Sequence, residues 1–271
     1  MRKAFILTTT AVAVAYLTLL IIQGMSEEVS ILRELAAQRI TVTRLSSCSD
    51  AITEDLPRYL RGEVEKEVLR SASMGILPNS MNVEVEEWKT ASCDFLEGQG
   101  VLAELDMGCI GFGRTDRAPE GALVCGTSFG YVLRDEIYET ELRDRRAISF
   151  IVPIRIYLMS DVVSGFRSSI IGKIWRAFMG NINSEGDTIR RIVTETIRAY
   201  QRSCAARGLD FGAKVGFEFD RCNVTTTVFI NFEELWVTDI SPEAIMLVNG
   251  EPTRVTFRKE RSTIELLFRH H

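Results

Sequence analysis

The chain has 271 residues, 46% apolar and 25% charged, with 32 Lys and Arg against 37 Asp and Glu, a net charge of −5. This balance excludes a disordered tail and leaves enough apolar side chain for one or two globular units with a sizeable core. The acidic excess, without ordered interleaving of aromatic and basic residues, argues against nucleic acid as a partner; arginine patches such as LRDRRA carry neighbouring acids and read as solvated surface.

The opening MRKAFILTTTAVAVAYLTLLIIQG sets two basic residues before an uncharged run from Ala4 to Ile22. About 19 helical residues cover roughly 28 Å, close to the hydrocarbon thickness of a bilayer, so residues 4–22 are expected to lie in membrane lipid. Arg2 and Lys3 before the run, with Glu27 and Glu28 after it, favour a cytoplasmic amino end and a single-pass, extracytoplasmic remainder. A disposable secretory signal is the rival reading, but its small-residue cleavage candidate, Gly24 to Ser26, is weak.

From Glu27 to about Arg70, Val29, Leu32, Leu35 or Ala36, Ile40, Leu56, Leu60, Val64 and Val68 recur at helical spacing. Ser49 and Asp50 can cap a fresh helix at Ala51, and Pro57 can sit in its first turns or kink one long helix. Either gives a leader and transmembrane helix over 1–25, a helical stalk over 26–75 and an extracytoplasmic head over 80–271.

Six cysteines in a chain that leaves the cytoplasm favour disulfides. Local order suggests Cys109 with Cys125 and Cys204 with Cys222, leaving Cys48 to clamp the stalk through Cys93. Reduced core thiols and a metal site are the other readings. The second is poorly served, because no CxxC occurs and the only histidines are His270 and His271.

The head begins, over Val83 to Val132, as short strands and tight turns: MNVEVEEWK alternates as a half-exposed strand, and the glycines that follow read as loop. Gly126, Ser128 and Gly130 match a nucleophile-elbow pattern, but the only imidazoles are at the extreme carboxyl end, so a glycine-flanked turn beside Cys125 is the better reading. Gly108, Gly111 and Gly113 lack nucleotide-binding spacing. Glu84, Glu86 and Glu87 read as an exposed strand edge, and no calcium-loop spacing links Asp210 and Asp220. No catalytic, cofactor-binding or metal residue is assigned, and no enzyme activity.

Ile148 to Met159 is too short for a second span and contains Pro153, which favours a buried or edge strand. Asp161 to Met179 reads as a connector with a short helix whose face of Ile170, Ile171, Ile174, Trp175 and Phe178 packs on a sheet. The clearest soluble helix carries Ile189, Ile192, Val193, Ile197 and Tyr200 as its stripe, with Asp187 at its start and Gly208 closing it. Alternating segments follow, with a turn at Asn249 and Gly250. The fold class is therefore α+β: an N-terminal transmembrane helix and stalk, then a mainly antiparallel β head with a packed helix. Asn223, Val224 and Thr225 form a glycosylation acceptor, which on a strand requires Asn223 to face out and Cys222 to turn in.

Arg2, Lys3 and Ala4, followed at once by the apolar helix from Phe5, resemble an archaeal class III signal peptide and type IV pilin-like amino terminus. The resemblance covers about the first 35 residues. It implies that a prepilin peptidase cuts after Ala4, exposing Phe5, and that the helix anchors the precursor and later packs with other pilin-like subunits. Thr8, Thr9, Thr10, Ala11, Ala13 and Ala15 offer small surfaces for such packing. The implied protein is a pilin-like membrane-anchored surface protein, a minor subunit or adhesive component of an archaeal type IV filament. The alternative is a single-pass anchored extracellular binding or accessory domain that does not enter a filament.

Overall fold

The computed structural model describes residues 2–81, 85–117, 119–180, 186–222, 224–248 and 250–269, with side chains of the first helix described from Val14 onward. Helix α1 (Arg2–Ser73) runs for 72 residues without interruption, through Pro57. Of the two arrangements open from sequence, the single long helix is the one adopted. Proline at that point forfeits one helical N–H bond, and the fully buried Leu56 and Leu60 on either side hold the segment in place.

The helix changes character at Thr41. From Val14 to Ile40 every position is exposed except the half-buried Ala37. Beyond it Thr41, Leu45, Cys48, Ile52, Leu56, Leu60, Val64, Val68 and Ala72 are buried, mostly four residues apart. With 3.6 residues per turn, each such step advances the buried line by about 40° around the helix. From Leu56 to Ala72 the second unit therefore wraps nearly halfway round it.

The chain forms two compact units. The first gathers Met1–Asp55, Val85–Asp106 and Gly130–Arg145. Besides α1 up to Asp55 it contains α2 (Glu86–Glu97), most of β2 (Val101–Met107), the end of β4 (Leu123–Asp135) and the start of β5 (Glu141–Val152). Leu45, Cys48, Ile52, Val85, Trp88, Leu96, Val101, Tyr131 and Leu133 are its buried apolar side chains. Three polar links tie α1 to the rest: Trp88 Nε1 donates to Asp55 Oδ2 at 2.9 Å, Ser49 Oγ meets the Tyr131 hydroxyl at 2.5 Å, and Arg44 pairs with the fully buried Asp135.

The second unit gathers Leu56–Glu84, Met107–Phe129 and Arg146–His271. Here β1 (Ser80–Met81) pairs with β3 (Ile110–Arg114), and β3 with β4, all antiparallel. The sheet to which they belong has the order β1-β3-β4-β2, with β5 also on β4. A second sheet centres on β7 (Thr225–Asp239), flanked by β6 (Leu209–Arg221) on one side and by β10 (Thr256–Lys259) and β11 (Ser262–Arg269) on the other. Helices α3 (Ile156–Gly180) and α4 (Gly186–Ala205) pack together and onto β6 and β7. Strands β8 (Ile245–Val248) and β9 (Glu251–Arg254) form a hairpin that turns at Gly250, φ +82°.

A bulge sets the faces of β7. Lys214 pairs with Glu234 but Val215 with Phe232, so Glu233 is an extra residue. Burial accordingly falls on Thr226, Val228, Ile230 and Phe232 before the bulge and on Leu235, Val237 and Asp239 after it, all on one side. On the opposite face the Trp236 indole covers Gly212, where a Cβ would lie 2.3 Å from the ring.

The α+β class, the antiparallel sheets and the α4 stripe follow expectation, as does burial of Ile170, Ile174 and Phe178. Other local expectations are corrected. Glu86–Glu97 is a helix rather than strand: Val85, Trp88 and Leu96 bury at helical spacing, and Glu86 and Glu87 sit favourably in its first turn. Gly126 to Gly130 lies inside the 13-residue strand β4, not in a turn. Ile148–Met159 divides at Pro153, with strand to Val152 and helix from Ile156, so the supposed connector is a helix of 25 residues.

Candidate functional site

Among the described residues, none of the patterns that suggest catalysis is assembled. Ser128 sits in mid-strand with its hydroxyl toward Gly108, which lacks the strand-to-helix turn that exposes a nucleophile. His270 and His271 lie outside the described residues, as do Glu84, Asn223 and Asn249. Glu86 and Glu87 occupy the exposed start of α2. Asp210 and Asp220 lie ten positions apart on β6, roughly 33 Å at strand spacing, and share no ion. Among the described residues no cluster of three metal-ligating side chains occurs.

The cysteines contradict the expected staples. No disulfide joins any of the six. Phe112 is the β3 partner of Cys125, which puts Cys109 three positions out of register, on the order of 10 Å along the strand and beyond disulfide reach. Cys204 and Cys222 flank the 13-residue β6, roughly 40 Å apart. Cys93 instead directs its thiol to the Ala103 carbonyl at 3.6 Å. Burial pushes the Cys125 thiol up to about 12 and raises those of Cys48 and Cys204, so these three stay protonated and inert at neutral pH. Cys222 is exposed, not turned inward.

Two buried acids were not legible in the sequence. Asp135 binds Arg44 and accepts from the backbone N–H of Ile137 and Tyr138 at 2.9 and 3.0 Å, which closes the turn after β4. Asp239 binds Arg155. Both pairs are structural: every oxygen is directed at protein donors rather than into a cleft. The first unit does contain an open trough of about 700 Å³ along β4, with Gly130 and Val132 between Glu104 and Asp106 on one wall and Arg143 and Arg145 on the other. Its walls carry both signs of charge, and Arg143 is already paired with Glu141.

What remains is α1 itself. It is the only described helix long and apolar enough to cross a membrane, and none of its apolar window is buried. Leu17, Leu19, Ile21 and Ile22 are each about 60% exposed, a state that water does not favour along a continuous helical surface. The side chains of Thr8, Thr9, Thr10, Ala11 and Ala13 lie outside the description; Ala15 is exposed, and Thr18 satisfies its hydroxyl on the Val14 carbonyl at 2.8 Å. No family model, curated protein or solved structure shows a match to the chain.

Proposed function

We propose that this chain is a pilin-like, membrane-anchored surface protein that acts as a minor or adhesive subunit of an archaeal type IV filament. One observation carries the reading: a single helix has an apolar run that ends at Ile22, is exposed from Val14 to Ile40 apart from the half-buried Ala37, and is then buried at Thr41, Leu45, Cys48 and Ile52 in the first unit and from Leu56 to Ala72 in the second. Lipid covers the apolar run that ends at Ile22 in the precursor, and other subunits cover it after assembly. The basic leader of Arg2 and Lys3 supplies the peptidase signal and places the body outside the cell.

The test is to shear and purify surface filaments from the native cells and probe them for this chain by mass spectrometry. Co-purification through successive density gradients supports the reading. Quantitative retention in the membrane fraction, with filaments free of the chain, replaces it with the anchored accessory domain.

A further inference from the structure

We propose that α1 pairs in parallel and in register with α1 of a second copy of this chain, along a seam of Ile22, Met25, Val29, Leu32 and Ala36. The apolar run ends at Ile22, and from Val14 onward the first buried position is Thr41. The 18 residues between them span roughly 27 Å, too far for lipid to cover if the run fills the bilayer. Yet in this stretch Met25 is 61%, Val29 45% and Leu32 65% exposed.

The seam residues are spaced three, four, three and four apart, the spacing of a coiled-coil contact line. At about 100° per residue they fall within an arc of roughly 80°. Thr41, Leu45, Cys48 and Ile52, which carry the rest of the first unit, centre roughly 150° away around the helix. The seam therefore faces away from that unit's packed segments, and two helices can close on it.

Charge selects the partner and its direction. Glu28 and Arg33 flank the seam on opposite sides, five residues apart. In a parallel, in-register pair the Glu28 of each copy faces the Arg33 of the other, the pairing that sets orientation in two-stranded coils. Insertion of both copies from one side of a membrane imposes the same direction. Within the membrane run, Ala15 and Thr18 continue the line with side chains small enough for close approach. Above, the next seam position is Arg39, which ends the apolar contact before the head begins. Such a pair is isologous, whereas a filament grows by heterologous contacts, so this inference and the filament reading fail separately.

The test uses full-length protein in liposomes, with the exposed thiols removed by Cys109→Ser and Cys222→Ser. Into this background either Leu32→Cys, on the seam, or Glu34→Cys, on the head side, is introduced, and each is oxidised with copper phenanthroline. The expected result is a disulfide dimer from Leu32→Cys at least tenfold above Glu34→Cys and the background. Glu28→Arg should lower that yield, and Glu28→Arg with Arg33→Glu should restore it. Equal yields at the two positions, or no restoration in the double exchange, overturn the seam. Cross-linking of Leu32→Cys only to a different position, such as Ala36→Cys on the other chain, shows a staggered contact and overturns the in-register pair.

Discussion

Arg155 and Asp239, 84 residues apart in sequence, meet inside the second unit as a two-pronged ion pair, Nε to Oδ2 at 2.9 Å and Nη2 to Oδ1 at 2.5 Å. The same guanidinium donates to the carbonyls of Arg207 and Gly208 at 2.6 and 2.9 Å, and Ser241 Oγ donates to Asp239 Oδ1 at 2.7 Å. One cluster thus joins the residue before α3, the turn that links α4 to β6, and the end of β7. Asp239 is fully buried, so removing its charge strands Arg155. Asp239→Ala is expected to destabilise the second unit by about 3 to 5 kcal/mol. Denaturant unfolding of the detergent-solubilised chain, followed by tryptophan fluorescence, measures this.

The same carboxylate predicts a pH dependence. Burial pushes Asp239 up, but hydrogen bonds from Arg155 and from the side chain and backbone of Ser241, with the Arg155 charge, more than offset it and hold the group below its ordinary value of 3.8. Its contribution to stability is therefore present above the unfolded value near 3.8 and is lost as pH falls through the lower folded value. Stability of the native chain should fall below about pH 4 with a component that Asp239→Asn lacks. Matching slopes in the two proteins would show that the pair does not titrate with folding.

The thiols give a third prediction. Cys125, Cys48 and Cys204 are buried, with thiols raised by that burial. Under native conditions near neutral pH, iodoacetamide should modify the exposed Cys222 in minutes and spare these three until the chain unfolds. Intact mass without reductant should show no two-dalton losses, roughly two hydrogens per bond being the signature of each disulfide.

The boundary at Thr41 can be probed from both sides. Leu60 is fully buried, and Leu60→Ala should cost about 2 to 5 kcal/mol through lost contacts and a residual cavity. Ile31 is 57% exposed, and Ile31→Ala should change the unfolding of the α+β body by less than about 0.5 kcal/mol. Similar effects at both positions would mean that the burial line does not begin where it is described.

The spacing of Leu56, Leu60, Val64 and Val68, and the α4 stripe, were legible because local periodicity decides them. The division of Ile148–Met159 was harder: an apolar run of that length suits either element, and only Pro153 and the anchoring of Arg155 by Asp239 mark where strand yields to helix. The bulge at Glu233 shifts the buried phase of β7 by one residue, so a single alternation read through the strand assigns one half to the wrong face. The cysteines misled for another reason. Closeness in sequence is not closeness in space, because β6 extends between Cys204 and Cys222 and carries them to opposite ends. Neither buried ion pair leaves a local trace, since a charged residue that will be buried looks like any other until its partner arrives from far along the chain.

Amino-terminal sequencing, with intact mass, of the chain recovered separately from native membranes and from surface filaments decides whether the chain enters a filament. The filament reading predicts a start at Phe5 in the filament material, showing that the leader is cut after Ala4 and that the apolar helix is retained for assembly. A chain that keeps Met1 in every fraction and is missing from filaments, or one that begins near Met25 or Ser26 because the opening helix is discarded, would contradict it.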